Sequence, residues 1–132
     1  ADIVALETKA DQAPGNMLTW SELARAYNEI GDHQRSKDAL LVALSLDPQN
    51  LVLQNNLAHI CLLLDQPAEA ASYFENIVRI DPTLADVWTN LGIVYAKMSE
   101  YVKAEQAWKN ALKHRPDHPV AKRYLDQLSR SG

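Results

Sequence analysis

A chain of 132 residues with 47% hydrophobic side chains is long enough for one compact domain with a continuous core. No apolar run approaches the ~20 residues of a membrane-spanning helix, and a single cysteine, Cys61, excludes an internal disulfide. The net charge of −4 is unevenly placed: residues 1–100 hold 6 basic and 14 acidic side chains, residues 101–132 hold 7 and 3.

Residues 1–10 read either as a short helix or as a frayed tail. The run from Lys9 to Asn16 parallels that from Ala43 to Asn50, with Pro14 answering Pro48, which favours the helix. Helix pairs are expected at Met17–Ile30 and His33–Ser45, at Leu51–Leu64 and Pro67–Ile80, and at Ala85–Met98 and Tyr101–His114. Gly31 and Asp32 form the first turn, and Asp32 is a natural N-cap. Pro67 suits the first turn of a helix. Asp47-Pro48 and Asp81-Pro82 break the chain between pairs. A last helix runs from Pro119 to about Leu128, with Ala121, Leu125 and Leu128 on one stripe and Lys122, Arg123 and Asp126 facing away. That is the pattern of a capping helix. Ser129 to Gly132 is expected to be disordered.

The strongest pattern lies between Ala85 and His118. Trp88, Leu91 and Tyr95 fall at i, i+3 and i+7 and share one helix face; Ala104, Trp108 and Ala111 do the same on the next helix. Gly92 and Ala104 are small, as residues at a close helix crossing must be. Glycine inside a helix costs roughly 1 kcal/mol against alanine, so Gly92 points to a packing requirement. With Ala85 as position one, the same frame starts 34 residues earlier at Leu51, bringing Leu57, Ala58, Ala70, Phe74, Ile77 and Pro82 into register. It starts again at Met17, with Trp20, Leu23, Ala24, Tyr27, Ser36, Leu40, Ala43 and Pro48. The middle copy departs twice: Gln54 stands where the others have Trp, and Cys61 where they have Tyr. These residues and spacings resemble the tetratricopeptide repeat (TPR) family, a helix–turn–helix unit of ~34 residues with the pattern W-x2-L-G-x2-Y…A-x3-F…P.

The resemblance implies an all-α fold, a right-handed superhelix of antiparallel helix pairs. It places repeats at residues 17–50, 51–84 and 85–118. Residues 1–16 would be the second helix of a truncated repeat or an N-terminal tail, and 119–132 a capping helix and tail. The implied core comprises Trp20, Leu23, Tyr27, Leu57, Phe74, Trp88, Leu91, Gly92, Tyr95, Ala104, Trp108 and Ala111. The implied function is a protein–protein interaction scaffold whose first helices line a concave groove for an extended or helical peptide of a partner. The groove positions are Leu18, Ser21, Glu22, Arg25, Asn28 and Glu29 in the first repeat, Val52, Asn55, Asn56, His59, Leu62 and Leu63 in the second, and Asp86, Thr89, Asn90, Ile93, Ala96 and Lys97 in the third, with Arg123, Tyr124 and Gln127 from the last helix. Asn56 and Asn90 share a position in neighbouring repeats, so they would form a short ladder for peptide backbone. One TPR subgroup clamps a terminal carboxylate with Lys, Arg and Asn; of its positions here, Ser21, Arg25, Asn56, Asp86 and Asn90, only Asn56 matches. Self-association, or a structural spacer in a larger membrane-tethered complex, are the rival readings.

Catalytic patterns are missing. There is no Gly-rich phosphate loop, no G-x-S-x-G and no paired-carboxylate spacing, so no enzyme, cofactor or metal is expected. His114 and His118 are four apart, but Pro116 between them breaks the shared helix face, and a solvated loop is expected there. Nucleic acid is disfavoured, because no exposed aromatics interleave with the C-terminal basic residues. No direct membrane insertion is expected. A lone core cysteine suits a reducing compartment such as the cytoplasm without fixing it.

Overall fold

The structure, a computed structural model, describes residues 2–131. Among the described residues there are eight helices and no strand: α1 (Ile3–Gln12), α2 (Met17–Glu29), α3 (His33–Leu46), α4 (Leu51–Leu63), α5 (Pro67–Ile80), α6 (Ala85–Lys97), α7 (Tyr101–His114) and α8 (Pro119–Ser131). Ser129, Arg130 and Ser131, expected to be disordered, continue α8 as helix. No breaker intervenes after Pro119, and the Ser131 hydroxyl donates to the Gln127 carbonyl at 2.9 Å. Ala1 and Gly132, on which the expected terminal segments also fell, lie outside the described residues.

The helix ends follow from local chemistry. Asp2, Asn16, Asp32 and Asn50 each accept a backbone N–H of the first turn that follows them. His118 does the same for α8, its Nδ1 accepting the Ala121 N–H at 3.2 Å. The three helix-pair turns share one geometry. Gly31, Asp65 and Ser99 have φ of 80°, 58° and 61°. The next residue then donates its N–H back to Tyr27, Cys61 or Tyr95, at 2.9, 2.8 and 2.9 Å. These are the bonds of a Schellman C-cap, which needs one left-handed residue.

The chain forms two compact units, Ala1–Gln66 and Pro67–Gly132. In the first, α1 packs on α2, α2 on α3 and α3 on α4; in the second, α5 packs on α6, α6 on α7 and α7 on α8. Leu23, Tyr27, Ala39, Leu40 and Ala43 are buried in the first unit, and Leu91, Val94, Ala104, Trp108 and Ala111 in the second. Alanine recurs where helices approach, and one large side chain fills the space beside it.

Trp20 and Trp88, expected in the core, are only half-buried. Each lies over the preceding loop, and its indole N–H donates to a proline carbonyl: Trp20 to Pro14 at 2.9 Å, Trp88 to Pro82 at 2.8 Å. A ring with a polar edge is held where one side is apolar and the other reaches a loop carbonyl. Gln54 donates in the same way to Pro48 at 3.1 Å. The departure from Trp in the middle copy therefore keeps the donor and loses the ring.

Candidate functional site

The first unit contains a cleft of about 640 Å³ running between α2 and α4. Its lining extends from Met17 to Asn28 on one side and from Asn50 to Leu63 on the other, with Ser36 and Leu40 contributed by α3. The deep part is apolar and closed: Ala24, Leu40, Leu53 and Ile60 are buried, and the Ser36 hydroxyl donates to the Ala24 carbonyl at 2.8 Å. The mouth is apolar and open. Leu18, Val52 and Leu63 are 64%, 69% and 59% exposed. Apolar side chains this exposed on one face mark a surface suited to contact.

Polar groups stand between them. Arg25 and Asn56 are exposed on facing helices. Asn28 is partly committed, its Oδ1 lying 2.8 Å from His33 Nδ1. Asn50 is used as a cap, accepting from Leu53 and donating to Asp47. His59 also lines the cleft, and desolvation by its surroundings pushes its pKa below the ordinary histidine value.

Of the expected groove residues, Leu18, Ser21, Arg25, Asn28, Val52, Asn56, His59 and Leu63 meet in this cleft. Asn55 and Leu62 are half-buried and do not line it, and neither do Glu22 and Glu29. In the second unit, Asn90 and Ile93 are half-buried on α6, while Lys97 and Arg123 are exposed. Thr89 is no groove residue: it is 2% exposed, and its hydroxyl donates to the Ala85 carbonyl at 2.9 Å. A small β-branched side chain bonded to its own helix leaves room for the neighbouring α7. Tyr124 stacks on Trp108 of α7, centroids 5.1 Å apart and planes 9° from parallel. One face of its ring is thereby taken up by the α7–α8 contact.

Two features escaped sequence reasoning. The first is a pair of tyrosine–glutamate bonds: Tyr27 donates to Glu7 at 2.5 Å, and Tyr95 donates to Glu75. Both pairs span 20 residues, a recurrence that the sequence contains. The second is His118, which is 5% exposed rather than a solvated loop residue. Because its Nδ1 accepts from Ala121, the proton sits on Nε2, which donates to Asp86 Oδ1 at 2.6 Å. Asp86, expected in the groove, is thus bound to the loop before α8, with Arg115 at 3.8 Å. Among the described residues, no three metal-ligating side chains gather, and no helix is long and apolar enough to cross a membrane.

Models of the tetratricopeptide repeat match residues 19–50, 52–84 and 85–118. The chain is 29% identical over 102 residues to the general transcriptional corepressor trfA of Dictyostelium discoideum, covering 77% of this chain and 7% of that protein. It is 27% identical over 115 residues to the protein O-mannosyl-transferase TMTC1 of Homo sapiens, covering 82% of this chain and 13% of that protein. The chain therefore spans a small part of the length of these relatives. Among solved structures, a crystal structure of MamA aligns with a TM-score of 0.88 at 22% identity, over 98% of this chain and 75% of that one. The first TPR of Spaghetti (RPAP3), bound to the HSP90 peptide SRMEEVD, aligns with a TM-score of 0.77 at 21% identity, over 87% of this chain and 91% of that one. These likenesses show the fold, all-α and of the TPR class.

Proposed function

The chain belongs to the tetratricopeptide repeat family, and from that premise we propose that its first unit holds a peptide segment of a partner protein in the cleft between α2 and α4. TPR modules are in general non-catalytic scaffolds for protein–protein contact, and the transferase activity named for TMTC1 belongs to that protein. The observation that carries the reading is the cleft itself: three exposed apolar side chains, Leu18, Val52 and Leu63, around a closed apolar floor. Peptide side chains would bury apolar area against them. Asn56, with a donor and an acceptor on one amide, would hold peptide backbone.

The test is selection of peptides from a random display library on the 132-residue chain, followed by titration against a double variant. Leu63→Asp and Asn56→Ala together should weaken the selected peptides at least tenfold, about 1.4 kcal/mol, with the melting temperature unchanged. Equal affinity for the double variant would remove the site from this cleft.

A further inference from the structure

The charge and the apolar groups of the cleft are ordered along it. Arg25 carries the formal charge among the lining residues, and no acidic side chain lines the cleft. Glu22 and Glu29, one turn to either side on α2, are exposed, and among the described residues neither forms an ion pair with Arg25. Leu18 and Val52 hold the second position of their helices, Arg25 the ninth and Leu63 the thirteenth. At 1.5 Å per helical residue, Arg25 lies ~10 Å from Leu18 along α2, and Val52 and Leu63 lie ~16 Å apart along α4. An extended peptide advances about 3.3 Å per residue, so these lengths correspond to about three and about five peptide residues, which leaves about two between a residue set against Arg25 and one set against Leu63.

Resting on the peptide-binding reading above, we propose that the cleft selects an internal acidic residue, facing Arg25, with a branched apolar residue three positions to one side and two to the other. The carboxylate pairs with the exposed guanidinium, and such a charge-assisted bond exceeds a neutral one. The two apolar side chains seat against Leu18 with Val52 and against Leu63. His59, held towards its neutral form by desolvation, adds no second cation near neutral pH.

The probes are two blocked peptides, acetyl-Ser-Leu-Ala-Ser-Glu-Ser-Leu-Ala-amide and acetyl-Ala-Leu-Ser-Glu-Ser-Ala-Leu-Ser-amide, which cover the two chain directions. One of them should bind the whole chain in a fluorescence polarisation titration. Replacing its Glu by Gln should weaken binding at least fivefold. Arg25→Glu should reverse the preference towards the peptide with Lys in place of Glu, and Arg25→Gln should bind the Glu and Gln peptides alike. Equal binding of the Glu and Gln peptides to the unaltered chain overturns the acidic selection while leaving a peptide site. If neither peptide binds but library-selected peptides still do, the spacing is overturned and the peptide-binding reading stands. If no peptide binds, both fall.

Discussion

Gly92 sits beneath the Trp108 indole. A Cβ built there would overlap the ring, lying 2.6 Å from Trp108 Cδ1, closer than such atoms can approach. The indole needs that position, because its N–H donates to the buried Thr89 carbonyl at 3.2 Å. In the other two frames the small position holds Ala24 or Ala58, and the ring position holds Leu40 or Phe74. Gly92→Ala should therefore destabilise, since overpacking costs about 1–3 kcal/mol and outweighs the ~1 kcal/mol that alanine gains in a helix. Adding Trp108→Phe should recover part of the loss. Urea denaturation of the parent, the single and the double variant measures this, and a single variant more stable than the parent would show that the indole has room to move.

The helix-pair turns repeat one backbone shape with three different residues. Gly31 takes the left-handed conformation without a side-chain clash, whereas Asp65 and Ser99 carry a Cβ into it. Left-handed backbone costs an L-residue roughly 1–2 kcal/mol, and the greater unfolded-state freedom of glycine offsets part of any gain. Ser99→Gly should stabilise by about 0.5–1 kcal/mol. Thermal unfolding would register a higher midpoint, and an unchanged or lower one would mean that the Ser99 side chain makes a compensating contact.

The two units are built alike at a spacing of 68 residues. Glu7 with Tyr27 corresponds to Glu75 with Tyr95, and Trp20 on Pro14 to Trp88 on Pro82. Arg35 stands 6.0 Å from the Tyr27 ring and Lys103 5.6 Å from the Tyr95 ring. Burial and then the hydrogen bond to Glu7 push the Tyr27 pKa up to about 12, and the same causes, with Glu75, raise Tyr95. The folded state thus favours the protonated phenol. Its contribution to stability is complete below the ordinary tyrosine pKa of about 10 and is lost as pH rises through the folded value. Chemical denaturation at about pH 8, 10 and 11.5 should show stability falling across the last interval. Tyr27→Phe with Tyr95→Phe should flatten that fall, and an equal fall in the double variant would assign it to other groups.

The sequence by itself determined the helices, their breaks and the small-against-large pairs that let them cross. Those depend on local propensity and on residues three, four or seven apart, which a 34-residue repeat displays three times. It also located eight of the cleft residues, because Leu18, Ser21, Arg25, Asn28, Val52, Asn56, His59 and Leu63 follow from helix register. Only the tertiary structure decided which register positions stay open. Register gives the direction in which a side chain leaves its helix, whereas exposure depends on what another element places there. Thr89 is covered in the packed second unit, Tyr124 is stacked on Trp108, and His118 is drawn inward by Asp86 and Ala121. Trp20 and Trp88 lie half-open for a related reason: a proline carbonyl in the preceding loop holds the polar edge of each indole, and the strength of that attraction is not written in helical periodicity.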